Sequence, residues 1–247
     1  MLHRSIAVTA ALVLGSGALA AADAPKPLRT LVYSVQYSSQ SRNTEQTSGF
    51  SGSDSGPSGT SMGHGAVERN SNVSDDGTLT IDVVGASADA GLVVDAAYAG
   101  KTTAQPAIRV AIFPDGRLSI DPRHQLSPEA ARVLPLLARG LVAGRDVSPG
   151  SAWKTDVAPP AKGSIAYRVS ALEGQQATLV IDSDIKVPGP QGYDEQGHGT
   201  AKYATDLLCP LTYDLEAHSR HQPSADQYVT SNSHLTATLV SDSFAKK

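Results

Sequence analysis

Apolar and polar residues alternate with a period of two in roughly ten segments spread along the chain, and that alternation points to an antiparallel β architecture. Leu31, Tyr33, Val35 and Tyr37 alternate with Val32, Ser34, Gln36 and Ser38, the pattern of a half-buried strand. A strand is predicted around 66–73, and Leu79, Ile81 and Val83 continue the pattern after a turn expected at Asp75-Asp76-Gly77. Segment 92–98 follows, then Ile108, Val110 and Ile112 lead through the turn Pro114-Asp115-Gly116 to 118–120. In the second half, Ile165, Tyr167 and Val169 pair through Glu173-Gly174 with Leu179, Ile181, Ile185 and Val187. Strands at 201–208, 211–217 and 228–239 complete the set, with Pro210 expected at a bend or edge. No strand-helix-strand rhythm occurs, which disfavours a parallel doubly wound fold.

One stretch breaks the ladder. Residues 127–144 read S-P-E-A-A-R-V-L-P-L-L-A-R-G-L-V-A-G, an apolar run with a helical start. Ser127 can cap the free backbone N–H groups, Pro128 suits the first helical position, and Glu129 favours the positive end of the dipole. Pro135 would remove a hydrogen bond from a continuous helix, so two short helices, 128–134 and 135–142, are expected. The fold class that follows is mainly β: a curved antiparallel sheet, half-barrel or open barrel, with a short kinked helical insert over 127–143 covering one face.

Residues 1–20 carry a short basic start, an apolar core and small residues at Ala18 and Ala20, the layout of a secretory signal peptide with cleavage after Ala20. A periplasmic or secreted location is the expectation, with 21–247 forming a single β-rich domain. No later segment approaches the length of a transmembrane helix, and no cysteine follows the leader to carry a lipid anchor. Without the leader the balance is 19 basic against 24 acidic residues, net −5. With no basic block, nucleic acid is a poor partner. Cys209 is the only cysteine, so no internal disulfide forms; its apolar neighbours Leu207 and Leu208 predict burial as a small hydrophobe. Segment 39–63 is mostly Ser, Gly, Thr and Asn, a composition too poor in apolar area to offset its ordering entropy, and a mobile hairpin loop is expected there.

The order of strands, a helical insert after a D-G turn, and the G-x-x-W of Gly150 to Trp153 together resemble exported bacterial proteins of unknown function that are themselves similar to LolA-like lipoprotein carriers. The resemblance spans 28–244. It implies an antiparallel sheet curled around a hydrophobic cavity and closed by a helical segment.

Three fragments resemble the boxes of subtilisin-like proteases: Asp54-Ser55-Gly56, Gly59-Thr60-Ser61-Met62 and Gly197-His198-Gly199-Thr200. Their order is wrong for that family, and Asp54 and Ser61 share one polar stretch with no apolar strand or helix to hold them. The same stretch matches G-x-S-x-G without the strand and helix that motif needs. His64 and His198 sit in twin G-H-G triplets, and His218 and His221 lie three apart near Asp214 and Glu216. Residues three apart in a strand face opposite ways, so His218 and His221 make no natural ligand pair unless the chain turns between them. No catalytic residue, metal ligand or cofactor is assigned.

Three function classes remain. The first is a non-enzymatic exported protein that binds an apolar small molecule or lipid between sheet and insert, with Val133, Leu137, Leu141, Trp153 and Tyr167 as lining candidates. A filled core made of the same residues is its structural counterpart. The second is a structural or interaction protein that meets an envelope partner through the Ser/Gly-rich segment or a sheet edge. A serine hydrolase is the third reading.

Overall fold

The computed structural model describes residues 26–48, 64–87, 91–157, 161–189, 192–224 and 226–244. Among these residues eleven strands form one open antiparallel sheet: β1 (Arg29–Ser48), β2 (His64–Ser87), β3 (Gly91–Gly100), β4 (Ala104–Ile112), β5 (Leu118–Ile120), β6 (Ala152–Asp156), β7 (Lys162–Glu173), β8 (Gln176–Val187), β9 (Tyr193–Ala204), β10 (Cys209–Ser224) and β11 (Gln227–Asp242). Their order across the sheet is β5-β4-β3-β2-β1-β11-β10-β9-β8-β7-β6. The first and last strands therefore pair in the middle, from Leu31 opposite Asp242 to Glu45 opposite Gln227. The two strands flanking the insert, β5 and β6, are the two edges.

That topology dictates where the insert goes. Residues 121–151 must join one edge of the sheet to the other, so they cross a face. The insert holds α1 (Pro128–Val133) and two 3₁₀ turns, Leu134–Leu137 and Arg139–Leu141. In strand order β4 and β10 are separated by β3, β2, β1 and β11, roughly 24 Å across a flat sheet at about 4.8 Å per step. The turn Leu134–Leu137 nevertheless lies in contact with both. Only a sheet curled around the insert allows this, so the curved sheet with a kinked helical cover, expected from the sequence, is the observed fold.

Locally the insert starts as its residues require. The Ser127 hydroxyl accepts the Ala130 N–H at 3.2 Å, Pro128 opens the helix, and Glu129 sits in the first turn. The break falls at Pro135, as expected, but the second half is two 3₁₀ turns rather than a second α-helix. Gly140 explains part of this: its N–H donates to the Pro114 carbonyl at 3.0 Å, and a Cβ there would stand 2.3 Å from that oxygen. The backbone is drawn against the β4–β5 hairpin too closely for a regular helix. Val133 and Leu134 are fully buried, with Leu136, Leu137, Leu141 and Val142 nearly so.

Inward rows of the long strands and the buried side chains of the insert form one core. Leu31, Tyr33 and Val35 of β1, Leu79 and Ile81 of β2, Val94 of β3, Val110 of β4 and Leu179 of β8 are fully or almost fully buried. Cys209 is buried among them, as its apolar neighbours predict, and burial pushes its thiol up. The Arg29 guanidinium donates to its sulfur at 3.3 Å, to the Leu207 carbonyl at 2.7 Å and to both oxygens of Asp242. Pro210 stands near the start of β10, beside a register shift between Pro210 and Thr212 against β9.

Three sequence expectations about the strands fail. The strand expected at 201–208 is β9, Tyr193–Ala204, and residues 205–208 form a turn. Ser39–Ser48, expected as part of a mobile loop, continues β1, paired with β2 throughout and with β11 as far as Glu45. Backbone pairing supplies there what apolar side chains do not. The rest of segment 39–63 lies outside the described residues. No turn occurs at Asp75-Asp76-Gly77 either, because β2 runs through it beside β1. These residues serve the neighbouring β3–β4 turn instead. The Asp75 carboxylate accepts the N–H groups of Thr102 at 3.0 Å and Thr103 at 3.1 Å, together with the Thr103 hydroxyl. At Gly77 a Cβ would lie within 2.7 Å of the Ala99 carbonyl, Gly100 and the Tyr98 ring.

Candidate functional site: a cleft between insert and sheet

A cleft of about 390 Å³ opens between the insert and the β7–β10 half of the sheet. Its sheet wall is built by alternation. Ile165 and Tyr167 of β7 lie opposite Ser183 and Ile181 of β8, and Ile185 extends the same row. Tyr213 and Leu215 of β10 close the far side. The insert contributes Pro128, Ala131, Arg132, Pro135 and Leu136.

The inward row of β9 is unusual: Tyr193, Glu195, Gly197, Gly199, Ala201 and Tyr203. Two glycines leave a gap that neighbours occupy. A Cβ at Gly197 would meet the Ser183 hydroxyl at 2.5 Å and the Leu215 side chain at 3.3 Å, and one at Gly199 would meet the Asp214 carbonyl at 2.4 Å. The G-H-G triplet that imitates a protease box is thus the low point of a curved wall.

Besides Ser183, a charged cluster interrupts the apolar lining. Arg132 of α1 reaches Glu195 of β9 with two parallel bonds, Nη1 to Oε1 at 2.8 Å and Nη2 to Oε2 at 2.7 Å, and the Tyr193 hydroxyl donates to the same carboxylate. Burial alone would push Glu195 up. The Arg132 fork and the Tyr193 hydroxyl outweigh it and hold the carboxyl below its usual range. Burial and Glu195 raise the Tyr193 phenol, and burial raises that of Tyr167 to about 12, so both stay protonated at neutral pH. The pair joins the helix to the sheet across the cleft.

Of the five lining candidates, Tyr167 alone lines this cleft. Trp153 stacks on Tyr167 with centroids 5.7 Å apart and planes 18° from parallel, while Arg145 covers its ring at 5.4 Å. Leu137 borders a smaller pocket of about 240 Å³ with Leu28, Val83, Leu92 and Phe244. Val133 and Leu141 are packed into the core. The residues that sequence reasoning missed are Arg132, Tyr193, Glu195, Ile181, Ile185 and Leu215. Ile181 and Ile185 were legible as an alternating row. Glu195 was not, because the inward row of β9 carries no apolar alternation to set its phase.

Three histidines, His198, His218 and His234, stand on the outer face of the sheet. His198 Nδ1 lies 2.6 Å from Asp182, His218 Nδ1 2.7 Å from Asn232, and His234 Nε2 3.0 Å from Asp214. β10 does not turn between His218 and His221, so the two face opposite ways. Among the described residues no group of three His, Cys, Asp or Glu could hold a metal ion. Asp54 and Ser61 lie outside the described residues, whereas His198 stands exposed in the middle of β9.

Fold and cleft together define a class: an open β-sheet whose edge-to-edge crossover roofs an apolar cleft. No family model matches the chain, and no curated protein matches it. A solved structure described as "Lipid-protein interactions in lipovitellin" is similar over 90% of this chain and 26% of that one, with 10% identity and a TM-score of 0.45. This chain thus spans about a quarter of that chain's length.

Proposed function

We propose that this chain is an exported, non-enzymatic protein that holds a hydrophobic ligand in the cleft between insert and sheet. One observation carries the proposal: apolar side chains from two different layers face each other across about 390 Å³ and do not fill it. That volume is within the range of small-molecule sites, whereas a finished core leaves few voids larger than a water molecule. The resemblance to LolA-like half-barrels belongs to the same proposal, as does export through the 1–20 leader. The Arg132–Glu195 pair uses up its own charges, which favours a ligand, or a portion of one, without net charge.

The test begins with protein expressed with its own leader and purified from periplasm and medium. Native mass spectrometry and solvent extraction should recover a hydrophobe, and N-phenyl-1-naphthylamine should bind the delipidated chain saturably at one site. Ala131 is exposed on α1 yet lines the cleft, so Ala131→Trp should fill it without disturbing the core and weaken probe binding about tenfold or more. If no hydrophobe is recovered and the probe does not saturate, the cleft is not a binding site. A second reading, an interaction protein, is favoured by a separate observation, an edge of β2 that no strand covers among the described residues.

A further inference from the structure

Residues 64–75 of β2 have β1 on one side and, among the described residues, no strand on the other, because β3 first pairs at Gly77. Such an edge presents a row of unpaired N–H and C=O groups, a template for a further strand. The hydrophobic core has ended there. Residues 67–74 are all exposed, and Val67 and Val73 are 43% and 54% exposed. Six residues apart on one strand, the two valines share a face.

We propose that this edge pairs antiparallel with the same edge of a second copy, on a two-fold axis through Asn70. The argument is complementarity in register. Residues directly opposite in a sheet share a face, so the axis of a symmetric pair must pass through a residue. An axis at Glu68 or Arg69 sets a charge against its own copy. An axis at Ser71 sets Val67 against Asp75 and Val73 against Arg69, and one at Asn72 sets Glu68 against Asp76. An axis at either valine pairs that valine with itself and leaves the other unmatched. The axis at Asn70 opposes Val67 to the second copy's Val73, twice, with Glu68 against Asn72 and Arg69 against Ser71. Both exposed apolar residues are covered and no like charges meet. The edge belongs to β2, and none of its residues lines the cleft.

The experiment measures the association state of the full chain by sedimentation equilibrium across concentration. A dimer is expected. Val67→Lys with Val73→Lys places lysines opposite each other and should weaken dimerisation about tenfold or more. Val67→Lys with Val73→Glu places lysine opposite glutamate and should restore it. The two positions are about 20 Å apart within one copy, so the two variants differ little in the monomer, and their melting curves should coincide at concentrations low enough that neither associates. Asn70→Cys should form an intermolecular disulfide, since opposed Cα atoms about 4.5–5.5 Å apart suit one and Cys209 is buried. A chain that is monomeric at every concentration, whatever covers its edge, overturns the proposal. So does a dimer indifferent to the lysine pair, or one that the Lys/Glu pair fails to restore.

Discussion

Asp75 occupies the inward row of β2, in line with Leu79 and Ile81, yet its carboxylate closes a turn between two other strands. The Thr103 hydroxyl and the N–H groups of Thr102 and Thr103 lower its pKa to about 2 against the opposing effect of burial. A carboxyl depressed in the folded state stabilises fully above its ordinary value of 3.8 and loses that contribution as pH falls toward about 2. The gap in urea midpoint between the native chain and Asp75→Asn should therefore shrink across that window; a gap independent of pH would show that Asp75 does not act through its charge. Glu195 is depressed as well, so its contribution is present above 4.5 and fades below. Removing Arg132 strands Glu195 in a largely buried site. Arg132→Met should cost about 3 kcal/mol, and adding Glu195→Gln should recover part of it, because the stranded charge is gone. Urea unfolding of the single and double variants reads both numbers.

At the scale of elements, the insert and β9 are opposite cases of legibility. Ser127, Pro128 and Pro135 act locally, on the backbone of their own turns, so the start and break of α1 could be read from neighbours in sequence. The 3₁₀ form of the second half could not, because it depends on Gly140 meeting Pro114 from a different hairpin. In β9 the inward row mixes Tyr, Glu, Gly and Ala, and its role appears only when β8 and β10 are placed beside it. The two glycines there should respond differently to substitution. A methyl group at Gly199 meets the backbone of Asp214, which cannot rotate away, whereas at Gly197 it meets the Ser183 hydroxyl, which can. Gly199→Ala should lower the melting temperature clearly more than Gly197→Ala. Equal losses would mean that β10 gives way as easily as a side chain.

For the whole molecule, the decisive feature is that the first and last strands pair in the centre of the sheet, leaving β5 and β6 as edges. The crossover between them then has to roof the inward face, and its buried leucines complete a core that, among the described residues, no other layer covers. Replacing residues 127–143 by a Gly/Ser linker should expose that face. The expected result is strong binding of a hydrophobic dye and loss of the near-ultraviolet signal of the buried tyrosines, with far-ultraviolet strand signal retained. A cooperative, dye-silent variant would mean that the sheet closes on itself without a roof.

Strand content, the antiparallel class, the single helical insert, its cap and its break follow from the sequence, because each depends on a period of two or on residues within a few positions of one another. Which strands become edges, how far Ser39–Ser48 extends β1 and where the cleft lies are matters of tertiary structure. Arg132 and Glu195 stand 63 positions apart, and Asp75 answers a turn 27 positions away. Contacts over such separations depend on register across several strands, and no local pattern in the chain encodes that register.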